Sequence, residues 1–160
     1  MRGDTALRPI ASADQSQSTT ARLSPDGRWI AYRSGASGQP SVYVKPFPSL
    51  DARFQVSLAG GAQPVWSPDG RRLYYLAGRS LLSATLGFTP SFTVVARDTV
   101  LDDVLNDPVP PTSVNHANFD VAPDGKTFVF LRASEQAESR VVFVHDWKYE
   151  LRQRMKGGGD

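Results

Sequence analysis

Ser24-Pro25-Asp26-Gly27 returns as Ser67-Pro68-Asp69-Gly70 and, with one residue changed, as Ala122-Pro123-Asp124-Gly125. Each copy lies between two short apolar stretches. Ahead of it stand Leu23, Val65-Trp66 and Phe119-Asp120-Val121; behind it run Trp29-Ile30-Ala31-Tyr32, Leu73-Tyr74-Tyr75 and Phe128-Val129-Phe130. Proline sets φ for the first corner of a turn, aspartate can bond its own backbone, and glycine accepts the positive φ that closes it. Three tight turns between antiparallel strands are therefore expected, with Asp26, Gly27, Asp69, Gly70, Asp124 and Gly125 as their structural residues. The proline-to-proline spacings are 43 and 55 residues. That is the length of a four-stranded repeat unit, the second spacing carrying an insertion.

Outward from the turns, the period of two that marks a strand continues through residues 29–34, 41–47 and 54–58, then 64–66, 73–76, 81–85 and 93–98. The third repeat supplies 118–122, 127–132 and 140–145. The organisation expected is a first strand and connector over 1–20 (the strand at 5–10), units at 21–60 and 61–103, and an inserted loop at 104–116. A third unit with a tail follows at 117–155, and the glycine-rich end at 156–160 reads as disordered. Asp102-Asp103, Asn106-Asp107-Pro108 and Pro110-Pro111 break the strand pattern, because proline and clustered polar residues do not sit inside a sheet. In the tail, Trp147, Leu151 and Met155 recur every four residues, the spacing of a short amphipathic helix, although a last strand fits as well.

Composition narrows the function. The 160 residues are 40% hydrophobic, enough to bury a core. With no cysteine, disulfides and thiolate metal sites are excluded. Lys and Arg number 18 against 16 Asp and Glu, a net charge of +2. The basic residues are scattered except at 148–156, so no nucleic-acid face is expected. No apolar run approaches the ~20 residues of a membrane span. The start shows no signal-peptide core, so the chain as it stands is expected in the cytoplasm, and outside it if it was cut from a membrane-anchored signalling protein.

These residues resemble the TolB-like, WD40-like β-propeller repeat. Leu7-Arg8-Pro9-Ile10, Val42-Tyr43-Val44-Lys45-Pro46-Phe47-Pro48 and Val141-Val142-Phe143-Val144-His145-Asp146-Trp147 look like the C-terminal propeller segment of bacterial serine/threonine protein kinases. The resemblance runs from Leu7 to about Met155. It implies an all-β fold, a half-propeller of three four-stranded antiparallel blades. Nothing in the chain resembles a kinase itself: a phosphate loop, a His-Arg-Asp and an Asp-Phe-Gly are all missing.

Candidate chemistry is sparse. Each turn offers one aspartate where a calcium loop needs several oxygens, so the carboxylates read as turn caps. His116 and His145 are the only histidines, too few for a zinc site unless folding joins them. Ser37 lacks the spacing of a nucleophile elbow, and Asp102 with Asp103 reads as a solvated loop. Neither catalytic residues nor a cofactor is expected. Phe88, Phe92 and Trp147 lie in loops or the tail and are the candidates for contact with a protein or peptide partner. Since propellers close with typically 4–8 blades, three blades suggest a homodimer completing a six-bladed ring. The function expected is a non-catalytic interaction or sensor module; the alternatives are the propeller of a prolyl-oligopeptidase-like hydrolase or a small-molecule sensor.

Overall fold

The computed structural model describes residues 19–35, 38–103, 117–133 and 139–144. They fold into three antiparallel sheets without a helix. The first is ordered β1 (Thr19–Leu23), β2 (Trp29–Ser34), β3 (Ser41–Pro46) and β4 (Phe54–Gln55). The second is β5 (Ala62–Trp66), β6 (Arg72–Ala77), β7 (Ser80–Gly87) and β8 (Thr93–Leu101). The third, among the described residues, has three strands: β9 (Phe119–Val121), β10 (Phe128–Ala133) and β11 (Ser139–Val144). The strand expected at 5–10, the inserted loop, the tail with Trp147 and the end at 156–160 lie outside the described residues.

The three repeated turns join β1 to β2, β5 to β6 and β9 to β10. In each, the glycine amide bonds the carbonyl three residues back: Gly27 to Ser24, Gly70 to Ser67 and Gly125 to Ala122, all at 2.9 Å. The glycines take φ of 68°, 68° and 66°, a region closed to most side chains. Asp26 Oδ1 accepts from the Arg28 amide at 3.1 Å and from Ser24 Oγ at 2.5 Å. Asp69 does the same with the Arg71 amide at 3.0 Å and Ser67 Oγ at 2.6 Å. Alanine at 122 removes that hydroxyl from the third turn, and Thr127 replaces it from the other side. Its Oγ1 donates to Asp124 Oδ2 at 2.7 Å, while its amide bonds Oδ1 at 2.9 Å.

The sheets stack face to face through the alternation of their strands. Ala31, Val42 and Val44 of the first sheet, with Val56 just past β4, bury against Trp66, Leu73, Tyr75, Ala84 and Leu86 of the second and Phe92 just ahead of β8. The other face of the second sheet, with Tyr74, Leu76, Leu81 and Val100, packs on Phe119, Phe128 and Phe130 of the third. A central sheet apolar on both faces is what a stack of repeats requires. The turns stack too: a Cβ on Gly70 would lie 3.6 Å from Pro25 Cδ, and one on Gly125 would lie 4.0 Å from Pro68 Cδ.

Two features differ from the strand pattern. The fourth strand of the first sheet stops at Gln55 instead of continuing to 58, because the Val56 and Ser57 amides both turn to the Val42 carbonyl (2.8 and 3.4 Å). Ser57 Oγ then accepts the Val42 amide at 2.9 Å, taking over a bond the ladder would have made. Second, β1 and β5 each carry a bulge at the same place in the repeat, where Thr20 and Gln63 adopt φ of 58° and 54°. The bulge aims the Gln63 side chain at the third sheet, where its Oε1 accepts the Asn118 amide at 2.9 Å.

Candidate ligand-binding cleft

The strands β1, β5 and β9 are the edge strands of their sheets and approach one another in sequence order. Their convergence leaves an open cleft of about 510 Å³, lined by Arg22, Leu23, Pro25, Val65, Trp66, Ala117, Asn118, Phe119, Asp120, Val129 and Leu131. Strand alternation decides what it shows. Leu23 and Leu131 are half-exposed (51% and 49%), and Val65 and Trp66 form a buried floor between them. Arg22 and Asp120 put charges of opposite sign on the walls, and both are exposed.

Trp66 fixes one side of this cleft. Its ring is buried between the first two sheets while Nε1 donates to the Arg22 carbonyl at 3.0 Å. In the first repeat the same position is Leu23, with no preceding sheet to bury it among the described residues. A buried tryptophan needs a partner for its N–H, and here that need ties the second sheet to the first.

The turn carboxylates lie nearby but are saturated by their own turns. Asp26 and Asp69 are held below the usual carboxylate range, first by the serine hydroxyls of the turn and then by the backbone amides that follow. No group of three or more His, Cys, Asp or Glu able to hold a metal occurs among the described residues. Asp102 accepts from Ser80 Oγ at 3.0 Å and Asp103 pairs with Arg79, both at the surface. Ser37, His116, His145 and Trp147 lie outside the described residues.

Phe88 and Phe92, expected as candidates for partner contact, sit at the seam between the first two sheets. Phe92 is buried, and Phe88 is half-buried against the same core. With Trp29 and Phe54 they make a four-ring cluster: Trp29 to Phe88 is 5.3 Å, Trp29 to Phe92 5.2 Å and Phe54 to Phe92 4.8 Å between centroids. The connection from β7 to β8 thus folds onto the first sheet. Phe92 is buried in the core between the first two sheets, and Phe88 packs against it. Sequence reasoning passed over Arg22, Asn118, Asp120 and Leu131; the one available signal was their common placement beside the repeated turns.

No family model matches the chain, and no match was found among curated proteins. Solved structures do resemble it. TolB from Acinetobacter baumannii superposes with a TM-score of 0.56 at 13% identity, over 80% of this chain and 30% of that one. A chain described as TolB from Agrobacterium tumefaciens gives 0.53 at 17% identity, over 79% of this chain and 42% of that one. A prolyl endopeptidase structure reaches only 0.49, over 80% of this chain and 20% of that one at 20% identity, too loose a likeness to bear on activity. This chain spans less than half the length of either TolB structure. Repeated turns, antiparallel sheets stacked face to face with their edge strands converging, and likeness to TolB lead to one conclusion: the chain is an all-β segment of a β-propeller.

Proposed function

We propose that the chain is a non-catalytic scaffold that holds a peptide or protein segment in the cleft between β1, β5 and β9, as the interaction or sensor module of a signalling protein. The observation that carries this reading is the character of the cleft. Half-exposed Leu23 and Leu131 flank an aromatic floor, with Arg22, Asn118 and Asp120 at the rim. Apolar anchoring ground with a few polar groups to orient a ligand is the usual make-up of a recognition site. The repeated aspartates are taken up by turn hydrogen bonds, which supports a binding role over acid–base chemistry.

The test is selection of a random peptide library on the purified chain, with affinities of the selected peptides measured by fluorescence anisotropy. Peptides that bind saturably and lose affinity with Leu131→Asp or Leu23→Asp support the cleft. Selected peptides indifferent to both substitutions, or peptidase or esterase turnover by the pure chain, would overturn the reading.

A further inference from the structure

The face of the first sheet that turns away from the second carries a feature the cleft does not use. Tyr32 and Tyr43 are register partners on β2 and β3, both buried, with ring centroids 5.9 Å apart. Two cations stand over them. Lys45 Nζ lies 5.7 Å from the centroid of the Tyr32 ring, and the Arg53 guanidinium carbon lies 4.6 Å from that of Tyr43. Arg53 is exposed, and no carboxylate among the described residues pairs with it. Its neighbour in sequence, Asp51, accepts from Ser49 Oγ at 2.9 Å.

The same face carries the Tyr32 hydroxyl. The residue is 1% exposed and its hydroxyl oxygen has no hydrogen-bond partner. A buried polar atom without a partner is uncommon and costly, and its persistence calls for a physical reason. The Arg53 guanidinium lies close enough to act on this phenol by its charge and its N–H edge, but a guanidinium can only donate, so the phenol proton is left without an acceptor. Burial first, and then the Arg53 charge, hold the Lys45 ammonium below its ordinary value. Over the Tyr43 ring, the Arg53 guanidinium has five N–H donors in a planar fork that suits a two-oxygen acceptor.

We infer that Arg53, Lys45 and the Tyr32 hydroxyl form a binding site for a carboxylate, that of an acidic side chain or chain end of a peptide. The anion would lie between the two cations and accept the phenol proton donor that now has no acceptor. This site is separate from the cleft, on the opposite face of the first sheet from the one that packs against the second, and stands or falls without it.

The experiment titrates the whole chain into a fluorophore-labelled, acetylated tetraglutamate peptide and follows anisotropy, with tetraglutamine as the neutral control. Saturable binding of tetraglutamate alone is expected. Losing a charge-assisted hydrogen bond in Arg53→Gln, or the charge in Lys45→Gln, should weaken it about tenfold. Tyr32→Phe separates function from structure. Removing an unpartnered buried hydroxyl should raise the melting temperature, yet binding should fall severalfold. Leu131→Asp, in the cleft, should leave this affinity unchanged. Equal binding of tetraglutamine, indifference to Arg53→Gln, or a Tyr32→Phe chain that is more stable and binds as before would overturn the site. Displacement by inorganic phosphate at lower concentration than by acetate would overturn its assignment to carboxylates.

Discussion

Replacing the turn glycines with alanine isolates the cost of backbone geometry in this fold. A Cβ at Gly27 would meet nothing within 4 Å, and at Gly70 it would meet only Pro25 Cδ at 3.6 Å, an ordinary contact. Steric collision therefore contributes little at either site. Both residues hold φ at 68°, where an L side chain costs roughly 1–2 kcal/mol. For a chain of this length each kcal/mol lowers the melting temperature by roughly 2–4 °C, so Gly27→Ala and Gly70→Ala should each melt about 2–8 °C lower. Asparagine visits this region more readily, and Gly70→Asn should recover about half of the loss. Gly61 is the contrasting case: its φ is not positive, but a Cβ would come within 2.8 Å of Ser57 Cβ, so Gly61→Ala tests collision instead of strain. Thermal unfolding by circular dichroism, checked by urea midpoints at constant slope, measures all four. Wild-type melting for both alanine variants, or asparagine costing more than alanine, would refute the strain account.

Thr127→Val removes the hydroxyl that stands in for serine in the third turn and should cost about 0.5–1.5 kcal/mol; in an Ala122→Ser background the loss should shrink, as urea midpoints of the two pairs would report. Trp66→Phe deletes the bond to the Arg22 carbonyl and opens space between sheets, so a loss of about 1–3 kcal/mol is expected from the same midpoints. Low pH acts on the first two turns. Asp26 and Asp69 have depressed folded pKa values, so the unfolded chain takes up protons first as pH falls. Their contribution is then full above the ordinary value of 3.8 and lost below it, as the pH descends through the folded values. Melting temperature against pH should fall over that acid range, less steeply in a Ser24→Ala, Ser67→Ala double variant.

The turns and most strands were legible because they depend on neighbours in sequence: proline, aspartate and glycine act within four residues, and alternation within six. Packing between repeats was not legible. Phe88 and Phe92 look the same in sequence whether a loop holds them outward or folds back, and only contact with Trp29, some 60 residues earlier, decides it. The bulges at Thr20 and Gln63 were hidden because neither residue type announces a positive φ. The cleft joins Leu23 to Leu131 through three sheets, so no local window contains it. Arg53 likewise stands outside any periodic strand pattern and acquires its role by stacking on Tyr43.

The close approach of each turn's proline to the next turn's glycine has a consequence for how such a chain can change. A Cβ added at Gly70 would stand 3.6 Å from Pro25 Cδ and one at Gly125 4.0 Å from Pro68 Cδ, a similar spacing although the second pair is separated by a longer connection in sequence. The turns act as a gauge that sets the step from one sheet to the next, whatever length of chain runs between them. Residues can then accumulate in the connection after β8 without altering the pitch of the stack. Evolution, or an engineer, can lengthen that connection while the spacing of the sheets is inherited from three four-residue corners.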